Sequence, residues 1–299
     1  MRIGIDLGGT KIELVALDFN GLTLFKQRIA TPPNSYPDTL KAIVCLVDEC
    51  EQELGVSGSV GVGHPGVIAP DTGVVKNANS VCLNGKPLKE DLESHLNRTV
   101  RLANDANCFA LSEYSDGAGA NYNSLFGVIL GTGVGAGIVV NGTVITGCNA
   151  IGGEWGHNPL PGFKPSDGDN LSCYCGQSNC IETFLSGPGF AERFNAENEC
   201  DFDSRQIIDQ TTQGDLIAIS AFDRYCDQVA RSLASIINIL DPEIIVLGGG
   251  MSNIAQLYDR VQALWGDYIF SDTVNTQLST ARYGDSSGVR GAAWLWPEG

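Results

Sequence analysis

Short runs of β-branched and apolar residues at 2–7, 12–18 and 22–29 are separated by glycine-rich turns, a pattern that predicts a three-strand antiparallel meander. Leu40, Ile43, Val44, Val47 and Leu54 then recur at helical spacing and predict a helix over 37–54. Residues 59–63 read as the next strand, which ends in the turn signal Gly63-His64-Pro65-Gly66. A helix over 87–96, a strand over 100–103 and a helix over 105–114 follow. To this point the pattern is mixed α/β.

The opening pattern then recurs. Leu125-Phe126-Gly127-Val128-Ile129-Leu130-Gly131-Thr132-Gly133 and a strand over 137–140 echo Ile3-Gly4-Ile5-Asp6-Leu7-Gly8-Gly9-Thr10 and the strand behind it. The repeat predicts a duplicated domain with a strand-turn-strand phosphate cradle in each half and a nucleotide in an interdomain cleft. The division falls near 117–123. A smaller α/β domain is expected over 1–118, joined by a C-terminal helix at 287–299, and a larger one over 119–286. The second half continues with a glycine- and cysteine-rich loop over 152–180, helices over 189–195, 204–211 and 215–240, and a strand over 243–247 ending in Gly248-Gly249-Gly250. Helices over 254–270 and 287–295 close it.

Composition narrows the function. The 299 residues suffice for a proper core without staples, and 37 glycines point to many tight turns and close backbone approaches. With 35 acids against 18 lysines and arginines the net charge is −17, so neither a nucleic-acid backbone nor a membrane surface is an expected partner. Nucleotide phosphates would have to be held by backbone amides, helix N-termini and a divalent cation, which implies magnesium. The sequence opens directly into a patterned strand and no stretch reaches the ~18 apolar residues of a membrane span, so a cytoplasmic protein is expected. In that setting a tight cluster among the ten cysteines suggests a metal site before disulfides.

Four features carry candidate chemistry. Asp6-Leu7-Gly8-Gly9-Thr10-Lys11 offers glycine amides to phosphate oxygens, with Asp6 at a strand end able to hold magnesium through water; a plain β-hairpin is the structural alternative. Gly131-Thr132-Gly133-Val134-Gly135 and Gly248-Gly249-Gly250 are further turns of the same kind. Asp105, in Asn104-Asp105-Ala106-Asn107, follows a strand and opens a helix, so it reads as a catalytic base or as an ordinary helix cap. Cys173-Tyr174-Cys175 and Cys180, with His157 earlier on the same loop, make a Cys3His set without an open position, which is the donor set of structural zinc. Glu154 and Glu182 flank that loop and could accept the paired hydroxyls of a sugar or cap helices.

These motifs, in this order over essentially the whole chain, resemble the ROK family of sugar kinases, which have a duplicated actin-like and Hsp70-like ATPase fold. The residues carrying the likeness are Asp6 to Lys11, Gly63 to Gly66, Asn104 to Asn107, Leu130 to Gly133, Gly153-Glu154-Trp155-Gly156-His157, Cys173 to Glu182 and Leu247 to Gly250. Within the family the chain most resembles bacterial fructokinases of mannokinase type, through Val75 to Ser80, Glu154 to Pro161 and Gly291 to Pro297. The family's N-acetylglucosamine kinases share most of the motifs. His64 departs from the family pattern, which has an apolar residue before Pro65.

The resemblance implies ATP-dependent phosphorylation of a hexose 6-hydroxyl, with fructose as first substrate and N-acetylglucosamine as the alternative. It implies Asp105 as general base, and Gly66, Asn79, Asn104, Glu154, His157 and Glu182 as sugar contacts. Gly8 to Lys11, Gly131 to Gly135 and Gly248 to Gly250 would serve ATP, while His157, Cys173, Cys175 and Cys180 would bind zinc. One His157 nitrogen would then ligate zinc while the other donates to a sugar hydroxyl. A homodimer is expected. Two rival classes are a sugar-responsive transcriptional regulator, which carries a helix-turn-helix ahead of the first turn, and an actin-like or chaperone ATPase, which would not need Glu154, Glu182 and the metal loop.

Overall fold

The computed structural model describes residues 1–296. Pro297, the end of the last stretch named above, and the remainder of the predicted 287–299 helix lie outside the described residues. In chain order the strands are β1 (Arg2–Leu7), β2 (Lys11–Leu17), β3 (Thr23–Ala30), β4 (Ser59–His64), β5 (Val67–Ile68), β6 (Val75–Lys76), β7 (Val100–Asn104), β8 (Ser124–Leu130), β9 (Val134–Val140), β10 (Thr143–Val144), β11 (Ile244–Gly248) and β12 (Gln277–Thr280). The α-helices are α1 (Tyr36–Leu54), α2 (Leu88–Leu96), α3 (Asp105–Ser115), α4 (Glu182–Leu185), α5 (Gly187–Asn198), α6 (Ser204–Thr212), α7 (Leu216–Leu240), α8 (Ala255–Leu264) and α9 (Ser287–Trp294). No helix among the described residues is long and apolar enough to cross a membrane.

Two compact units form, one from 1–121, 137–153 and the chain from Arg282 on, the other from 122–136 and 154–281. This division differs from the one expected. The chain returns to the first unit in the middle of β9, because Gly137 lies against α3: a Cβ there would stand 2.6 Å from the Ala106 carbonyl oxygen and 2.7 Å from Ala110 Cβ. The final return comes at Arg282 because the buried Glu113 of α3 accepts from the Arg282 and Ala118 amides, both at 3.0 Å, and from the Ser287 hydroxyl at 2.7 Å.

In the first unit the sheet order is β3-β2-β1-β4-β7. The predicted meander supplies its antiparallel side, with Ile5 opposite Leu14 and Leu14 opposite Gln27, and β4 and β7 add parallel strands. Helix α1 starts where Ser35 caps it and Pro37 presets its first turn, and stops at Gly55, whose left-handed φ of 67° glycine adopts without a Cβ penalty. Its Leu40, Ile43, Leu46 and Val47 join Ile3, Ile5, Val60 and Val62 in the core. On the other face α9 lies flush against the sheet. A Cβ at Gly4 would collide with the Val289 carbonyl, one at Gly61 with the Ala292 carbonyl, and one at Gly291 with the Cys108 carbonyl of α3.

The second sheet has the order β10-β9-β8-β11-β12. In the second unit β8, β11 and β12 run parallel, Val246 pairing with Gly127 on one side and Ser279 on the other. Helix α7, capped by Asp215, buries Phe222, Tyr225, Val229 and Leu233. The predicted 254–270 helix is shorter: α8 stops at Leu264 and a 3-10 turn follows over Trp265–Tyr268, where buried Trp265 turns inward ahead of Gly266, a poor helix former. A buried ion pair, Arg231 to Asp167 at 2.7 Å, pins the loop after Pro161 to α7, with Arg231 also donating to the Gly162 carbonyl at 2.9 Å.

Candidate active site

The first unit assembles its candidates around the turn between β1 and β2. The Gly8 amide donates to the Lys11 carbonyl at 3.0 Å, Thr31 donates its amide to the Thr10 carbonyl at 3.0 Å and its hydroxyl to the Gly8 carbonyl at 2.7 Å, and Gly9 and Thr10 are left exposed at the tip. Burial pushes the Asp6 carboxyl up from 3.8 to about 6, helped by the like charge of Asp105 and opposed by Lys11. A buried carboxylate with a second carboxylate close enough to raise its cost of ionisation is a natural setting for a divalent cation.

Asp105 is the first residue of α3, and Asn104 caps that helix by accepting from the Ala106 amide at 2.9 Å. The Asn104 side-chain amide donates to the Gly66 carbonyl at 3.0 Å, so two expected sugar contacts are joined directly. Both readings of Asp105 hold at once, since its Oδ1 also accepts from the Ala106 amide, at 2.8 Å. The protein packed around the Asp105 carboxyl raises its pKa, against the pull of the Ala106 amide, its own amide and the Asn104 side chain, while the residue stays exposed. Asn79 is exposed on the following loop, which is held to Gly66: a Cβ there would meet the Lys76 carbonyl, and the Ala78 amide at 2.7 Å. Asn84 clamps the same loop by accepting from the Ala78 amide and donating to its carbonyl, each at 2.9 Å.

In the second unit the other two glycine turns meet. A Cβ on Gly249, whose φ is 83°, would stand 2.5 Å from the Leu130 carbonyl and 2.9 Å from the Gly131 amide, so the 248–250 backbone seats directly on the 131–135 turn. That turn closes through the Gly131 amide to the Gly133 carbonyl at 3.0 Å, leaving Thr132 exposed. Glu182 does not cap the helix that it opens. It heads α4, but its Oε2 accepts from the Val134 amide at 2.8 Å and lies 2.7 Å from where a Gly133 Cβ would be. Glu154 is exposed before the 3-10 turn Trp155–His157.

His157, Cys173, Cys175 and Cys180 converge. Their ligand atoms all lie within 4.8 Å of one another, with Cys173 Sγ 3.6 Å from His157 Nδ1 and Cys175 Sγ 3.6 Å from Cys180 Sγ. Thiolates about 2.3 Å from one tetrahedral ion stand about 3.8 Å apart, so the donor set fits zinc. The backbone amide of Gln177 lowers the Cys175 pKa and so favours the thiolate a metal requires. His157 Nε2 meets the Tyr174 hydroxyl at 3.0 Å, a partner the sequence did not suggest.

Sequence reasoning also passed over Ser80. Its hydroxyl is buried without a hydrogen-bond partner among the described residues, 3.3 Å from the position of a Gly9 Cβ, beside the first turn. Its place directly after Asn79 is the signal that could have drawn attention to it.

The sequence profile of the ROK family matches residues 2–299. The chain belongs to the ROK family. An N-acetyl-D-glucosamine kinase of Yersinia pseudotuberculosis serotype O:1b (strain IP 31758) is 39% identical to this ROK protein over 299 residues, spanning 99% of this chain and 98% of its own. A ROK hexokinase from Thermus thermophilus has a crystal structure that superposes with a TM-score of 0.88 at 29% identity, covering 98% of this chain and 96% of the other. A ROK glucokinase from Streptomyces griseus, solved in complex with glucose and AMPPNP, superposes at 0.78 with 27% identity, covering 100% and 99%. The duplicated actin-like α/β ATPase fold expected from the sequence is thus the fold of this ROK protein.

Proposed function

We propose that this ROK protein is an ATP-dependent hexose kinase that phosphorylates the sugar 6-hydroxyl, with Asp105 as general base. The observation that carries the reading is the setting of Asp105: rigidly capped at a helix start, raised in pKa, and paired electrostatically with Asp6 at the first glycine turn. A base raised toward the working pH accepts a hydroxyl proton more effectively than an ordinary carboxylate. Gly66, Asn79, Asn104, Glu154, His157 and Glu182 are the proposed sugar contacts. The glycine turns at 8–11, 131–135 and 248–250 are the proposed phosphate contacts, each presenting backbone amides that cost no reorganisation. Asp6 is suited to hold magnesium, whose chemistry is to offset the charge on the β- and γ-phosphates. His157, Cys173, Cys175 and Cys180 are proposed to hold zinc that is structural, since the four donors leave no open position.

The substrate reading shifts from the one expected from sequence. The kinase named among the relatives above, alike over 99% of this chain, acts on N-acetyl-D-glucosamine, which supports that sugar. Fructose is the second reading, supported by the sequence likeness of 75–80, 154–161 and 291–297 to fructokinases. A coupled ADP-release assay across N-acetylglucosamine, fructose, mannose, glucose and N-acetylmannosamine is the test. The expected result is sugar-dependent ADP release with kcat/KM highest for N-acetylglucosamine. A maximum with fructose would select the second reading, and ATP turnover indifferent to every sugar would overturn the kinase reading.

A further inference from the structure

The turn at 131–134 is held by the same segments that carry the Cys3His cluster. Glu182, two residues after Cys180, accepts from the Val134 amide at 2.8 Å. Gly156, one residue before His157, packs flush on the same residue, since a Cβ there would collide with the Val134 carbonyl. The Gly187 amide donates to the Gly131 carbonyl at 2.9 Å. The two arms of the cluster are in turn laced together by Ile181 to Asn158 at 2.8 Å, Leu160 to Asn179 at 2.9 Å, and the bridge of Pro159 with Cys180.

The middle of the loop is held by the Arg231–Asp167 pair and by buried Leu160, and its two ends are tied by the four donors within 4.8 Å when an ion joins them. Glu182, two residues beyond Cys180, is therefore tied to the cluster on one side and to the buried Phe184 and Leu185 on the other. Glu182 adds to the turn's own closure, from the Gly131 amide to the Gly133 carbonyl at 3.0 Å, the acceptor that holds the Val134 amide.

We infer that Glu182 is a positioning residue for the nucleotide, coupling the metal state of the His157, Cys173, Cys175 and Cys180 cluster to the affinity of the 131–135 turn for phosphate. The inference rests on the reading above that this turn serves ATP. Glu182 acts here through a hydrogen-bond acceptor, which glutamine retains and alanine does not. Its proposed contact with sugar is a separate duty that depends on charge.

The test is calorimetric titration of the zinc-loaded full chain with magnesium-ADP, before and after removal of the metal by chelation, for the wild type, Glu182→Ala and Glu182→Gln. Metal removal is expected to weaken ADP binding to the wild type roughly ten- to a hundredfold, the worth of one hydrogen bond to a charged group. Glu182→Ala should show a similar loss with metal present, and little further loss on chelation, because the two changes break one linkage. Glu182→Gln should keep ADP affinity within about threefold of the wild type while weakening sugar binding. ADP affinity that ignores the metal would overturn the inference, as would a chelation loss equally large in wild type and Glu182→Ala. If the alanine variant fails to fold, the wild type and Glu182→Gln decide: both must lose affinity on chelation, and indifference in either overturns it. Failure of the metal-loaded wild type to bind ADP at all would instead remove the kinase reading on which the inference stands.

Discussion

Asp6→Asn should make the protein more stable and less active, and the gain should depend on pH. The carboxyl of Asp6 is raised from 3.8 to about 6, burial being the main cause and the charge of Asp105 the next. A carboxylate whose folded pKa lies above its unfolded value keeps its proton longer in the folded state. Below about pH 4 both states are protonated and the group costs nothing; between about pH 4 and 6 the cost builds; above about pH 6 it is fully present. At about 1.4 kcal/mol per pH unit the full cost is about 3 kcal/mol. Asparagine keeps the shape and removes the charge, so that amount should be recovered at neutral pH and vanish toward pH 4. Spread over the unfolding entropy of a chain this size, it corresponds to a rise of about 5 °C in the thermal midpoint. The assay is thermal unfolding followed by tryptophan fluorescence at intervals from about pH 4 to 8, with magnesium and nucleotide absent so that no added cation masks the repulsion. A midpoint difference that is flat across this range, or a variant less stable than the wild type at neutral pH, would refute the reasoning. ATP turnover by the same variant should fall, since the carboxyl that destabilises the empty protein is the one proposed to hold magnesium.

Asp105→Asn should lower kcat by ~10²–10⁴ with sugar binding little changed, and steady-state kinetics with near-normal turnover would count against Asp105 as base. Asp167→Ala removes one of the two carboxylates paired with Arg231, Asp227 at 3.0 Å remaining, and should cost about 1–3 kcal/mol; denaturant unfolding would read the loss. Elemental analysis of the purified protein should find about one zinc per chain, and a metal-free protein of undiminished stability and activity would exclude the proposed centre.

The parts of the fold that could be read from the sequence are those whose determinants are local. The meander of β1 to β3 follows from alternating runs and glycine turns, and α1 from its spacing and caps. The three glycine turns and the Cys3His set were legible for the same reason: short motifs carry their chemistry in spacing. Strand β12 escaped notice because Gln277–Thr280 is a half-exposed edge strand with no apolar run to mark it. The return of β9 to the first unit depends on Gly137 meeting α3, an encounter between distant residues. The bond from Glu182 to Val134 likewise spans 48 residues, and from sequence Glu182 could only be read as a cap or a sugar contact. Ser80 was hidden because nothing in its local sequence distinguishes a hydroxyl aimed at a neighbouring turn from any loop serine.

The flush seating of α9 has a consequence for how the molecule is made. Synthesis delivers β1 first, yet Gly4 and Gly61 shape that sheet for a helix that begins only at Ser287, and the Arg2 guanidinium donates to the Trp296 carbonyl 294 residues later, at 2.9 Å. The opening sheet must therefore wait on the ribosome with its glycine-lined face uncovered, through the whole production of the second unit. Contacts so far apart in the chain form slowly. A nascent chain stalled before Ser287 would hold every residue proposed for chemistry and still lack the helix on which α3, and Asp105 at its head, are braced.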